Sequence, residues 1–520
     1  PATSKMSSLL NCWSSVFSLK SAALDGSQPI PASTTLLPGA SRYATSVAPH
    51  CFDLVKYWGD ASSQNRLPLH GIVALVSSCD HLCTFSEARA TLLEESAQSP
   101  AGGNDMDTIT IDSVTCRGQH MPRGYASVLA TLRSLAKGNL ASTTVSVVIR
   151  TPARNGLASV TDAGAAAAAA FVVTVAAVLA ADEAYNGQFA QLARKIGGLA
   201  CTSLVGGFVK WSASTVATKE DDEIEPAGDN DMAMARRTAP EETSVAACIC
   251  EPHAGLANDV RTITVVVSPE ASQLRALAGS QTNAADEGRI AQASLDRFAT
   301  AAARSVTTSP LLTHRVEKVV PARLHAVESC VARGDFEGLA RLACAESNQV
   351  AAICSDTAPP LYFMSDVTRR VVAIVERYNH HVGRTAAAYT SAPLSASVTV
   401  LVKGAADEAA MLARLLHAFP AMPSSGRTLL APRLESAKAE ADADVMSLPF
   451  VRGLGVTEKL SALGIKALGD LASLTPPPES PNAVVWPDSV YGIVVGGVGA
   501  GAHAEDIGAS DVSEPTLKEG

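Results

Sequence analysis

Residues able to do chemistry gather in one stretch, from Thr151 to Trp211. It opens with the loop Thr151-Pro152-Ala153-Arg154-Asn155-Gly156-Leu157-Ala158-Ser159, and a long Ala-rich helix follows. A small-residue loop running into a helix can cradle phosphate, because the first N–H groups of a helix point outward and attract anions. Gly156 lets the backbone approach closely. After the helix comes Ala200-Cys201-Thr202-Ser203-Leu204-Val205-Gly206-Gly207-Phe208-Val209-Lys210-Trp211. Many Gly-Ala-Ser turns only start helices, so partners elsewhere in the chain must decide what this loop is for.

The chain has 520 residues, 47% of them hydrophobic and only 4% aromatic, with a net charge of −10. That length allows two or three domains, or one with large insertions. The acidic balance leaves no global basic footprint for coating nucleic acid. The 11 cysteines show no metal-type CxxC pair, and Cys248 and Cys250 form a lone CxC. Buried free thiols are the expected state. Ala163 to Ala181 is nearly long enough to span a bilayer. Its high Ala content and the bracketing Asp162 and Asp182 make it a buried helix instead, so no membrane partner is expected.

Stepping outward along the chain, residues 1–45 read as a Ser-, Ala- and Pro-rich arm, either leader-like or a disordered tail. Residues 46–245 form an N-terminal domain of strands at 48–59, 71–76, 83–93, 108–111 and 143–149, with helices at 127–136 and 187–195. An acidic loop runs from Lys219 to Thr243. Residues 246–424 form a C-terminal domain, with a strand at 262–267, helices at 284–304, 335–345, 367–379 and 408–419, and a strand at 398–403. The order of elements lacks regular βαβ alternation and predicts an α+β fold. Residues 425–485 read as an insertion. Within it, Val451 to Leu471 resembles a helix-hairpin-helix unit, a module that contacts proteins or nucleic-acid backbone. A returning strand is expected within 486–504 and a disordered tail over 505–520.

Several stretches together resemble the mevalonate diphosphate decarboxylase family of the GHMP kinase superfamily. They are Ala48-Pro49 with Lys56-Tyr57-Trp58-Gly59, Leu67-Pro68, Gly156-Leu157-Ala158-Ser159, Ala200-Cys201 with Ser203-Leu204, and Gly206-Gly207-Phe208-Val209. Later come Thr308-Ser309-Pro310-Leu311-Leu312, Val319-Val320-Pro321-Ala322-Arg323, Ser347-Asn348-Gln349, Asp356-Thr357 with Pro359-Pro360, and Ala388-Tyr389-Thr390. The resemblance implies a two-domain GHMP-type fold: a ribosomal-protein S5-like N-terminal domain, a ferredoxin-like C-terminal domain and a cleft between. It implies ATP and magnesium, used to phosphorylate the tertiary hydroxyl of mevalonate diphosphate before loss of phosphate and CO2 gives isopentenyl diphosphate.

The same comparison implies a degenerate site. Ala392 stands where the family carries its catalytic aspartate, and Thr202 where it carries an arginine. Gly197 and Leu199 replace serines, as does Val160 in the phosphate loop. Cys51 replaces an asparagine and Asp60 a lysine, while Asp356 or Asp366 is left as a substitute acid. Lys56, Tyr57, Gly156, Ala158 and Ser159 remain as ATP- or diphosphate-binding relics. A positioned base contributes about 10²–10⁴ in rate, and Thr cannot replace a bidentate Arg. The sequence therefore predicts a non-catalytic relative that needs no cofactor. It would be a scaffold or assembly subunit of a larger, mitochondrial ribonucleoprotein-like complex, with protein partners, a local RNA contact and a homodimer as further expectations. The alternatives are an active, cytoplasmic ATP-dependent diphosphomevalonate decarboxylase using ATP and magnesium, and a nucleotide-binding sensor without turnover.

Overall fold

Alternation of buried and exposed side chains marks the first strand, β1 (Ser41–Pro49), and its partner Cys83–Thr91. This is the period-two pattern of strands with one face on a core. In the computed structural model the described residues are 34–63, 66–78, 83–93, 106–111, 114–151, 160–213, 244–252, 254–267, 300–362, 364–391, 397–419, 451–453 and 490–508. The acidic segment 219–243, most of the 284–304 helix and most of the hairpin-like unit lie outside them.

The N-terminal half continues with β2 (Cys51–Val55), the short pair β3 (Asp60–Ser62) and β4 (Leu67–Pro68), β5 (Ile72–Val76) and β6 (Cys83–Thr91). Then come β7 (Thr108–Ile111), β8 (Val114–Arg117), β9 (Thr144–Arg150), β10 (Phe208–Trp211) and β11 (Ala246–Cys250). Its helices are α1 (Tyr125–Ser134), α2 (Val160–Val178), α3 (Gln188–Ile196) and the single turn α4 (Ala200–Ser203). The C-terminal half holds α5 (Gly255–Asp259), β12 (Val260–Val267), α6 (Pro310–His314), α7 (Val320–Arg333), α8 (Phe336–Asp356), α9 (Asp366–Val382), β13 (Ala387–Thr390), β14 (Ser397–Lys403), α10 (Gly404–Ala418), β15 (Val451–Gly453), β16 (Val490–Gly497) and β17 (His503–Gly508). A further helix covers 300–308.

Three main sheets result. A six-stranded sheet has the order β17-β1-β6-β9-β7-β8, a four-stranded sheet β11-β10-β5-β2, and a five-stranded sheet β13-β14-β12-β16-β15. This is the expected α+β class. α2 lies across β1 and β6. Its run from Ala165 to Ala170 is buried, and these small side chains let the helix axis approach the sheet closely. Ser46 on β1 donates to Ala170 O at 3.0 Å, and Tyr125 packs edge-on against Phe171 at 4.8 Å. Among the described residues no helix is long and apolar enough to cross a membrane.

β2, β5 and β10 carry apolar runs with both faces covered, so they read as continuous rather than alternating apolar text. Phe52, Leu54, Val55, Leu75 and Phe208 share one core with Val320, Val327 and Phe336 on the helices and with Ala388 and Leu401 on the C-terminal sheet. The two halves are thus joined through a common apolar interior, and the edge strand β2 lies at the seam.

Four places differ from the sequence reading. β1 begins at Ser41, inside the expected arm, because Ser41 already pairs with Thr91. β11 joins the N-terminal sheet beside β10, past the expected boundary at 245. The chain expected as a tail after 504 pairs its backbone with β1, from His503 opposite Val47 to Gly508 opposite Tyr43. Val451–Gly453, expected to open a helical hairpin, is a strand parallel to β16, with Val451 opposite Ile493. In each case a long-range backbone partner decides the conformation, and local text does not show such a partner.

Candidate functional site

Lys56 follows β2 directly and is buried at the seam, only 2% exposed. A buried ammonium needs acceptors. Its Nζ donates to Thr390 Oγ1 at 2.6 Å and to Asp53 O at 3.3 Å. Thr390, the last residue of β13, in turn donates to Asp53 O at 3.0 Å. One hydroxyl from the C-terminal half therefore ties both the lysine and the strand of the N-terminal half.

The peptide of Lys56 is held separately. Its N–H donates to Glu346 Oε2 at 2.9 Å, and its carbonyl accepts from Arg315 Nη2 at 3.2 Å. Arg315 also meets Glu346 twice, Nη1 to Oε1 at 2.8 Å and Nη2 to Oε2 at 2.6 Å. Both side chains are fully buried. Arg323 makes a second contact to Glu346 Oε1, and both arginines donate to Gln349 Oε1, at 2.6 Å and 2.8 Å. Burial alone would raise the Glu346 carboxyl. The Arg315 guanidinium, the Lys56 N–H and Arg323 outweigh it and hold the group down to about 2.

Arg315 opens a π-helical turn, Arg315–Val319, between α6 and α7. Pro321 lies just beyond it. Proline lacks an N–H and clashes with the carbonyl four residues back, so the ladder widens there. Glu346 sits on the buried stripe Leu339, Ala343, Glu346, Val350, Ile353 of α8. The i, i+3, i+4 spacing that packs this helix also carries the carboxylate into the core.

Tyr57 follows Lys56. Its N–H donates to Asp53 Oδ2 at 3.2 Å, and its hydroxyl contacts Asp60, which also meets Arg66 at 3.4 Å. Burial and the neighbouring Asp60 push the phenol well above its ordinary range. Burial likewise raises the Asp60 carboxyl. The Tyr57 ring lies 5.6 Å from Trp211, and a Cβ added at Gly198 would stand 2.8 Å from the Tyr57 hydroxyl. Glycine at 198 is therefore what makes room for this tyrosine.

The positions expected to have lost function fall in different places. Thr202 is fully buried; its hydroxyl donates to Leu199 O at 2.7 Å and lies 3.2 Å from Cys51 Sγ. Cys51 Sγ also lies 3.2 Å from Ser203 Oγ, so these three form one internal cluster. Gly156, Ala158, Ser159 and Ala392 lie outside the described residues. The proposed substitute acids do not meet Lys56 or Tyr57: Asp356 accepts from Ser309 at 2.7 Å, and Asp366 pairs with Arg369 at 2.9 Å. The structure brings Lys56 and Tyr57 together and adds Asp53, Thr390, Arg315 and Glu346, which sequence reasoning did not single out. For Glu346 a signal existed, a carboxylate on the apolar stripe of a helix. For Arg315, 259 residues from Lys56 along the chain, there was none. Among the described residues no cluster of His, Cys, Asp or Glu could hold a metal ion unaided.

Comparison with known proteins gives the arrangement its context. Residues 48–222 match the diphosphomevalonate decarboxylase-like N-terminal domain, and residues 299–448 the mevalonate 5-diphosphate decarboxylase C-terminal domain. The diphosphomevalonate decarboxylase of Rattus norvegicus is 27% identical over 387 residues, 72% of this chain and 80% of that protein. Among solved structures, the mevalonate diphosphate decarboxylase of Trypanosoma brucei superposes with a TM-score of 0.62 at 20% identity, covering 91% of this chain and all of that one. The Enterococcus faecalis enzyme, described for mevalonate diphosphate-mediated ATP binding, shares the fold at a TM-score of 0.51 and 16% identity, covering 90% of this chain and all of that one.

The expectation of a non-catalytic scaffold is corrected by these likenesses. The relatives are named as decarboxylases, the match runs through most of the chain, and nothing in it points to an assembly role. That expectation counted replaced side chains one at a time. Thr202 and Cys51 prove to bond to each other inside the fold, so their replacement says little about the cleft. The chain is a mevalonate diphosphate decarboxylase-like protein of the GHMP kinase type, with both domains in the family's order.

Proposed function

We propose that the chain is an ATP-dependent diphosphomevalonate decarboxylase that makes isopentenyl diphosphate. The observation that carries this reading is the Lys56 ammonium, held at the seam of the two halves by Thr390 and the Asp53 carbonyl. A cation fixed in sparingly hydrated surroundings attracts an anionic group more strongly than one in water. The start of α2 adds to it: the first N–H groups of a helix favour phosphate through the helix dipole, and α2 begins at Val160, directly after the sequence Gly156-Leu157-Ala158-Ser159.

ATP would supply the transferable phosphoryl group, and magnesium, when bound with it, would offset the charge of its phosphates. In the proposed reaction the tertiary hydroxyl of mevalonate diphosphate loses its proton as its oxygen bonds to the γ-phosphorus and ADP departs. The C–O bond to the new phosphate then breaks. The bond to the carboxylate breaks with it, its electron pair forming the C=C bond, and CO2, phosphate and isopentenyl diphosphate leave. Lys56 and Tyr57 hold the anionic substrate. Asp53, half-buried beside them, offers a carboxylate for the hydroxyl proton.

Purified protein given ATP, magnesium and mevalonate diphosphate is expected to release ADP and CO2 in equal amounts. Lys56→Ala lowers kcat/KM by about 10²-fold, the loss of one preorganised electrostatic contact. Folded wild-type protein that releases neither product, or releases both as fast in Lys56→Ala, would overturn the proposal.

A further inference from the structure

We infer that Arg315 and Glu346 are positioning residues for Lys56: one buried ion pair from the C-terminal helices grips both the N–H and the carbonyl of the lysine's own peptide. The inference deepens the proposed function, since it says how that site's cation is set in place. Four hydrogen bonds close the grip, two between the side chains and two to the Lys56 peptide, all between 2.6 and 3.2 Å. Neither charged side chain has any exposed surface. A fully desolvated pair is a poor source of stability compared with apolar packing. Its directionality is another matter, because a planar guanidinium and a carboxylate together fix the plane and position of whatever they bind.

Three observations say that this is more than generic core polarity. The pair contacts the backbone of the residue whose buried ammonium is held by Thr390 and the Asp53 carbonyl, and no intermediary stands between them. Arg315 occurs at the first position of a π-helical turn, an arrangement often found at functional sites. The grip also joins opposite sides of the seam, β2 to α8 and the turn before α7, at the point where the two halves share one core. Lys56 is thereby set from the C-terminal side twice, at its peptide by Arg315 and Glu346 and at its ammonium by Thr390. Any shift of α8 against the four-stranded sheet therefore moves Lys56 through its peptide.

Arg323 provides a matched control. It too binds Glu346 and Gln349, but it has no bond to the Lys56 peptide. Arg315→Met and Arg323→Met each remove one of the two guanidinium groups on Glu346, yet only the first takes a hydrogen bond from the Lys56 peptide.

The test is acetylation of the intact folded chain with acetic anhydride, read by peptide mass spectrometry as the rate at Lys56 relative to exposed Lys403. It needs no turnover, so its result stands apart from the fate of the proposed reaction. Arg315→Met is expected to raise the Lys56 rate roughly ten- to a hundredfold, the effect of losing a charge-assisted hydrogen bond, and Arg323→Met to leave it unchanged. Arg315→Lys, which cannot form the fork, rises as well and serves where the Met variant does not fold. Where decarboxylation is measured, Arg315→Lys raises KM more than it lowers kcat. Equal Lys56 rates in the Arg315 and Arg323 variants, or no rise in Arg315→Lys, would overturn the inference and leave the pair a structural one.

Discussion

Glu346→Ala is expected to lower the stability of the chain by about 3–5 kcal/mol, the cost of breaking a buried ion pair from one side. Two guanidinium groups converge on this carboxylate, one fully buried and the other largely so. Removing it leaves Arg315 without its counter-charge in the interior and strips the Lys56 N–H of its acceptor. The double variant Glu346→Met with Arg315→Met takes out both charges and is expected to recover most of the loss, because apolar replacement of a whole buried pair is often neutral. Urea unfolding midpoints would measure both. A single variant as stable as the wild type would show that water reaches Arg315 and that the pair is not a desolvated one.

The same pair sets an acid limit. Glu346 titrates at about 2 in the fold against its ordinary 4.5. Its carboxylate therefore contributes stability that is complete above the ordinary value and is lost as pH falls from there toward 2. His50, buried between β1 and β2, acts in the same direction at higher pH. Burial lowers its imidazole from 6.5 to about 3, so the fold excludes a proton that the unfolded chain accepts. Stability is expected to decline from about pH 6.5 downward. Burial also lowers His70 to about 4, so His50→Leu removes about half of the histidine slope in the first part of that decline and His50→Leu with His70→Leu most of it. A doubly substituted profile that still falls steeply between pH 6.5 and 5 would assign the loss to other groups.

Much of this was legible in the sequence, and the reasons are physical. The Ala-rich run announced a helix that could lie close against a sheet. The Lys56-Tyr57-Trp58-Gly59 stretch, within the ordered set of motifs, gave the family and the two-domain fold. The site was legible only where its residues are contiguous. Lys56 and Tyr57 stood out, but Arg315 and Glu346 reach them from about 260 and 290 positions away, through hydrogen bonds that leave no local trace. The functional expectation failed because a side chain was equated with its role. Thr202 was read as a lost arginine, while the fold uses it as a hydroxyl that caps Leu199 O and meets Cys51. Replacement at a position shows that one contact changed; it does not measure what the remaining cleft can bind.

Gly501→Ala is expected to destabilise the chain by about 3 kcal/mol, the upper end of the ordinary cost of overpacking. After β16 the chain leaves the C-terminal sheet and crosses to the N-terminal one. On the way it is tied down by Gly499 N–H to Val76 O at 3.0 Å, Gly207 N–H to Gly499 O at 3.0 Å and Ala502 N–H to Ser203 O at 2.8 Å. The crossing runs so close to the 203–207 backbone that a Cβ at Gly501 would stand 2.3 Å from Leu204 O and 2.5 Å from its carbonyl carbon. The obstruction is backbone on an element already fixed by β10, so no rotamer change can relieve it. Gly206 faces the same segment with φ +87° and would itself collide with Gly501 N, so neither strand can yield to the other. Gly497, on the same strand just before the crossing, meets nothing closer than 3.9 Å. Gly497→Ala is accordingly expected to change stability by less than about 0.5 kcal/mol. Comparing the two variants by denaturant unfolding, with amide exchange across the β1–β17 pairing, separates close approach from a general cost of filling glycine positions. Equal losses would refute close approach as the reason. A large loss at Gly501 alone, with faster exchange in β1, would show that the final strand is held in the N-terminal sheet by the narrowness of this passage, next to the Cys51–Thr202–Ser203 cluster.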